Sequence, residues 1–315
     1  MLATDSSSPF TLTVGDRERL LARLQRALVR TRRSGEQTLA TISVTLPKTV
    51  DPAQVACASR RPGEPWFLFE QPDRGGAALA GLGAVVTLSA RGPGRFSDVA
   101  ERWRALVGSA AADPLDGPPG SGPIAFGGFA FADDGGSAPH WDGFDPGAMT
   151  VPEIAFSRRE GVVRMTLAVL TAADDIAEEL LERLIERTRE LREAELPLLD
   201  PAPVGRFQIS SPLAPEHYEQ AVARAKQMIV EGRFEKIVLS REVHVHAPAP
   251  YDAAAVFAVL RREFPSCFCF CVGSGEVALI AASPELLARR DGQRVSTLAL
   301  AASTRRSADP AVDDH

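Results

Sequence analysis

Apolar residues recur along the chain with two different periods, and the switches between them divide it into helices and strands. In 14–33, VGDRERLLARLQRALVRTRR, Leu20, Leu21, Leu24 and Leu28 follow a helical period with arginines between them, which predicts an amphipathic helix. PWFLFEQP at 65–72, bounded by prolines, reads as a strand. IAFGGFAFA at 124–132 is another, and Gly127-Gly128 inside it predicts a bulge or a close backbone approach. EIAFSRREGVVRMTLAVL at 153–170 predicts a hairpin turning at Glu160-Gly161, followed by a helix over 174–196. Prolines, glycines and serines mark loops at 112–123 and 133–147, and a connector at 201–215.

Beyond that connector, Tyr218, Val222, Ala225 and Ile229 lie along one face of a helix over 216–232 that stops at Gly232. FEKIVLSREV at 234–243 reads as a strand, and 253–264 as a helix. CFCFCVG and EVALIAAS are strands joined through Gly273-Ser274-Gly275, and Asp291-Gly292 predicts a further hairpin. SADPAVDDH sets Ser307 or Asp309 and Pro310 as a helix start. The chain stops at His315 before a second turn, so truncation or a frayed tail is expected.

Composition narrows the function classes. A 45% hydrophobic content over 315 residues supplies a sizeable core. A net charge of −6 and a pI near 5.5 disfavour nucleic acid or an anionic membrane as the main partner. No run approaches the ~20 apolar residues of a membrane span, and the N-terminus lacks the charged and apolar regions of a secretion signal. A cytoplasmic protein is expected.

Candidate chemistry is sparse. Cys267, Cys269 and Cys271, spaced by two, point to one side of a strand with Phe268 and Phe270 on the other; without a CxxC spacing they read as buried packing residues. His244 and His246 share a strand face, but no third metal ligand accompanies them. Lys236 stands out: of 35 basic residues only Lys48, Lys226 and Lys236 are lysines. Lys is depleted from apolar strands, and unlike Arg it can lose its proton when dehydrated. Either Lys236 is a general base or its ammonium simply reaches water from an edge strand. In AASPELL, Pro284 closes a strand and delivers Glu285, which is either a surface carboxylate or the acid matching that base.

IVEGRFEKIVLSREV and IAASPELLARRDGQRVSTLALAASTRRSADP, with FGGFAF and WFLFEQP, resemble the chorismate-utilising enzymes, most closely the isochorismate synthases. The resemblance implies an α/β (α+β) fold of stacked β-sheets with outer helices, incomplete at the C-terminus. It divides the chain into an N-terminal half, 1–204, and the first part of the catalytic region, 205–315. Lys236 would activate water for attack at C2 of chorismate, where anthranilate synthases carry Gln, and Glu285 would protonate the departing C4 hydroxyl. Ala302 and Ser303 would line the substrate site, Ala302 standing where the family has Gly. Mg²⁺ is the implied cofactor, with its ligands expected beyond His315, so full activity is not expected of these 315 residues alone. The pathway implied is menaquinone biosynthesis; a salicylate synthase or a non-catalytic fragment is the alternative.

Overall fold

The computed structural model describes residues 8–114, 117, 119–200 and 203–298. In chain order they form α1 (Val14–Ser34), β1 (Thr38–Leu46), α2 (Pro52–Ser59), β2 (Trp66–Gln71), β3 (Ala77–Leu82), β4 (Val86–Ala90), α3 (Arg95–Ser109), β5 (Phe126–Phe129), β6 (Gly147–Val151), β7 (Ile154–Arg159), β8 (Val162–Thr171) and α4 (Ala177–Arg189). There follow β9 (Gln208–Ser210), α5 (Pro215–Val230), β10 (His244–His246), α6 (Ala253–Glu263), β11 (Phe268–Ser274), β12 (Val277–Ser283), β13 (Arg289–Asp291) and β14 (Arg294–Ser296). By compactness the chain divides into two units: residues up to Pro197 with those from Ala253 onward, and Leu198–Asp252. The division expected at residue 204 follows family regions and is a boundary of another kind, because β11 and β12 beyond it complete the first unit's sheet.

That sheet has seven antiparallel strands in the order β1-β8-β7-β3-β2-β11-β12. Period-2 alternation sends Ile42, Leu68, Leu82, Phe156, Met165, Cys269 and Cys271 to one face, where they meet Leu20 and Leu24 of α1, Val55 of α2, Leu184 of α4 and Phe257 of α6. Each such fully buried side chain contributes about 1.5–3 kcal/mol. Cys269 and Cys271 thus lie on one side as expected, while Cys267 precedes β11, and Phe268 on the opposite face is tilted against Phe69 at 6.2 Å. A three-stranded sheet, β4-β6-β5, lies against that opposite face: the Phe126 ring stacks on Phe67 with centroids 4.7 Å apart. Gly81 makes the approach possible, since a Cβ there would sit 2.8 Å from the Phe126 ring. The expected combination of helices with stacked sheets is what forms.

Local chemistry sets the element ends. Thr13 caps α1, its Oγ1 accepting from the Asp16 N–H at 3.1 Å while Asp16 accepts from the Thr13 N–H. The β7–β8 hairpin turns at Glu160 and Gly161, both at positive φ (53° and 78°), the tight turn that matches strand twist. Helix α4 ends at Arg189 rather than 196: the Arg192 N–H donates to Ser59 Oγ at 2.9 Å, that hydroxyl donates to the Arg192 carbonyl at 3.0 Å, and Leu191 turns into the core. Bonds to α2 replace helical ones.

The second unit carries α5 and the β9–β10 pair. The strand expected at 234–243 does not form; regular pairing begins at His244, which faces Ser210. A strand exists only through its ladder partner, and among the described residues no strand ladder includes 234–243. None of this unit's described residues is buried. Across the described residues, no helix is long and apolar enough to cross a membrane.

Candidate active site

Glu285 is placed by the β11–β12 hairpin, whose turn uses Gly275 at φ 60°. β12 ends at Ser283, because Pro284 offers no N–H to extend the ladder. The Glu285 N–H then donates to Ser283 Oγ at 3.4 Å. Beyond it the β13–β14 hairpin folds back, and the Leu298 N–H and Thr297 Oγ1 both donate to the Leu286 carbonyl at 3.4 Å. The Glu285 carboxylate is exposed and makes no hydrogen bond or ion pair with the described residues.

Lys236 follows the end of α5, where Gly232 takes φ 72° and the Arg233 N–H donates to the Met228 carbonyl at 2.9 Å. The segment that follows is fastened within its own unit: the Arg241 guanidinium lies 5.9 Å from the centroid of the Tyr218 ring of α5, and Ser211 Oγ donates to the Glu242 carbonyl at 2.7 Å. Lys236 itself is exposed. The apolar strand face expected to strip its hydration is missing because the strand is missing. Lys236 and Glu285 therefore belong to separate compact units. Ala302 and Ser303 lie outside the described residues.

On β10, His244 and His246 share a face with ring centroids 6.3 Å apart, and His244 Nε2 meets Glu242 Oε1 at 2.5 Å. For Mg²⁺, a hard cation that gathers several oxygen ligands at once, a lone exposed Glu285 is not enough; the described residues around it do not make that site.

A feature that sequence reading missed is a cleft of about 620 Å³ in the first unit, between β5 with its following loop and the outer side of β11–β12. Phe126, Phe129, Phe131, Trp141 and Phe144 line it. Glycines let its walls close up: a Cβ on Gly127 would sit 1.9 Å from the Ala148 carbonyl oxygen, and one on Gly136 would sit 2.4 Å from the Trp141 ring. Buried Arg95 holds the loop by donating to the Ala130 and Phe131 carbonyls at 2.8 and 3.0 Å and by pairing with Asp133. Among the lining residues the only charged one is Asp145, itself paired with Arg91 at 3.1 Å. An apolar cleft whose one charge is negative is no pocket for an anion. The Gly and aromatic density of 126–144 was the available signal, and it reads equally well as loop.

Comparison with known proteins places this architecture. The fold matches that of the menaquinone-specific isochorismate synthase MenF from Escherichia coli with a TM-score of 0.58 at 22% identity, over 86% of this chain and 57% of that one. In sequence the chain is 25% identical to isochorismate synthase MenF of Bacillus subtilis over 246 residues, 76% of this chain and 51% of the relative. It is also 28% identical to anthranilate synthase component 1 of Haloferax volcanii over 173 residues, 54% of this chain and 33% of that protein. The chain spans about half the length, or less, of these relatives. The family described as chorismate binding enzyme matches residues 22–315, and the protein belongs to that family.

Proposed function

We propose that the protein is an isochorismate synthase, converting chorismate to isochorismate. The observation that carries this reading is Lys236, one of three lysines in a chain that otherwise writes its positive charges as arginine. Relatives named for two different reactions match this chain, so membership alone does not choose between them. By resemblance, Lys at this position goes with addition of water and Gln with the anthranilate reaction.

In the proposed reaction Lys236 Nζ takes a proton from water, whose oxygen bonds to C2 of chorismate. The ring double bonds shift, and the C4 hydroxyl departs as water with a proton from Glu285. One water enters and one leaves, so the product is an isomer. A lysine acts as a base only when shielded from water, and Lys236 is exposed in its own unit, so the working enzyme must cover it. Mg²⁺ is the proposed cofactor; when bound it neutralises a substrate carboxylate. The menaquinone pathway is the preferred context, supported by the names of the MenF relatives, and the cytoplasm the preferred location.

The test is chromatographic analysis of products from chorismate and Mg²⁺, with and without ammonium, using the polypeptide that carries these residues. Isochorismate is expected. Anthranilate in the presence of ammonium, or salicylate with pyruvate as the end products, would replace this reading with the corresponding neighbour in the family.

A further inference from the structure

Four charged side chains from sequence-distant elements of the first unit meet beneath helix α6. Arg261, in the last turn of α6, reaches Asp51 Oδ2 and Glu70 Oε1, both at 3.2 Å. Asp51 is the N-cap of α2, its Oδ1 accepting from the Ala53 and Gln54 N–H groups at 2.9 and 3.1 Å. Arg158 of β7 approaches Asp51 at 3.5 Å and Glu70 at 3.9 Å, while its Nε donates to the Gly76 carbonyl at 2.9 Å. Glu70 sits on the inner face of β2, 3% exposed, between Ala78 of β3 and Cys269 of β11.

Helix α6 is also held to the sheet by packing and by the Cys269 thiol, whose Sγ donates to the Leu260 and Phe264 carbonyls at 3.6 Å. Its buried residues are Ala254, Ala255 and Phe257, a small apolar contribution for a helix of 11 residues. Among the described residues Arg261 ties α6 ionically to the cap of α2 and to β2, which precede it by some two hundred residues. We propose that Asp51, Glu70, Arg158 and Arg261 form a proton-dependent latch that sets how tightly α6 is held to the large sheet.

The sign follows from burial. Loss of hydration pushes the Glu70 carboxyl above its usual range, Asp51 adds in the same direction, and Arg261 and Arg158 pull it back only in part. Of the other titratable neighbours, Cys269 is neutral because burial pushes its thiol up to about 11, and the exposed Glu193 carboxylate accepts from the Asp51 N–H at 2.7 Å. A carboxyl whose value is raised in the closed state binds its proton more tightly there. The latch is therefore firmest below the ordinary carboxylate range and loosens as pH rises through the Glu70 value. Ionised Glu70 regains its hydration only when α6 lifts.

Hydrogen exchange of α6 amides, corrected for intrinsic rates and followed from about pH 4 to about pH 8, tests this directly. In the wild type the opening constant should rise with pH, by up to about tenfold per unit inside the Glu70 window. In Glu70→Gln, which keeps size and an acceptor for Arg261, that rise should be absent. Arg261→Met should speed α6 exchange at neutral pH because two carboxylates then face one guanidinium, and Arg261→Lys should restore part of the protection. Identical pH profiles in wild type and Glu70→Gln would overturn the proton dependence. Unchanged α6 protection in Arg261→Met would overturn the latch itself.

Discussion

As candidates, Lys236 stands out by breaking a compositional habit and Glu285 by following Pro284, which ends a strand. Neither signal carried information about depth, and both side chains are exposed. Burial of the cysteines was legible, since spacing by two on β11 puts Cys269 and Cys271 on a common side; Cys267, also buried, precedes the strand. Burial pushes the thiols of Cys269 and Cys271 up to about 11 and about 12. In the native protein near pH 8 Cys269 should react with a thiol reagent about a hundredfold, and Cys271 about a thousandfold, more slowly than a free cysteine, because the thiolate is the reactive form. Denaturant should abolish the difference. Gly127 offers a second check. A Cβ there meets backbone, not a flexible side chain, so Gly127→Ala should lower stability by about 1–3 kcal/mol in thermal unfolding.

Helices and hairpins were the readable elements. The α1 face, the Glu160-Gly161 turn, the β11–β12 pair and the Gly292 hairpin all follow from patterns a few residues long. The segment 234–243 was not readable, because β-branched residues state a preference for pleated surface but cannot supply the partner strand. The end of α4 was also hidden, being set by Ser59 about 130 residues away. The same helix depends on Arg187, which is 1% exposed and pairs with Glu64 at 3.0 Å, Glu153 at 3.1 Å and Glu190 at 2.8 Å. Arg187→Met should cost about 3–5 kcal/mol in denaturant unfolding, because the Glu64 carboxylate, little exposed, loses its cation. A loss below about 1 kcal/mol would show that water compensates those carboxylates.

Across the whole molecule, the first unit has a helix-covered seven-stranded sheet with a continuous apolar core, whereas the second has no buried residue among those described. The proposed base belongs to the second and the proposed acid to the first. Removing either one should therefore leave the first unit's core intact while sharply lowering turnover, a pattern that separates chemistry from stability. The most direct measurement compares isochorismate formation from chorismate and Mg²⁺ by the polypeptide carrying these residues with that of its Lys236→Ala variant. A fall of about a hundred- to ten-thousand-fold with unchanged thermal unfolding is expected for loss of a general base. Undiminished isochorismate from the variant would remove Lys236 from the chemistry and, with it, the ground for assigning water addition to this chain.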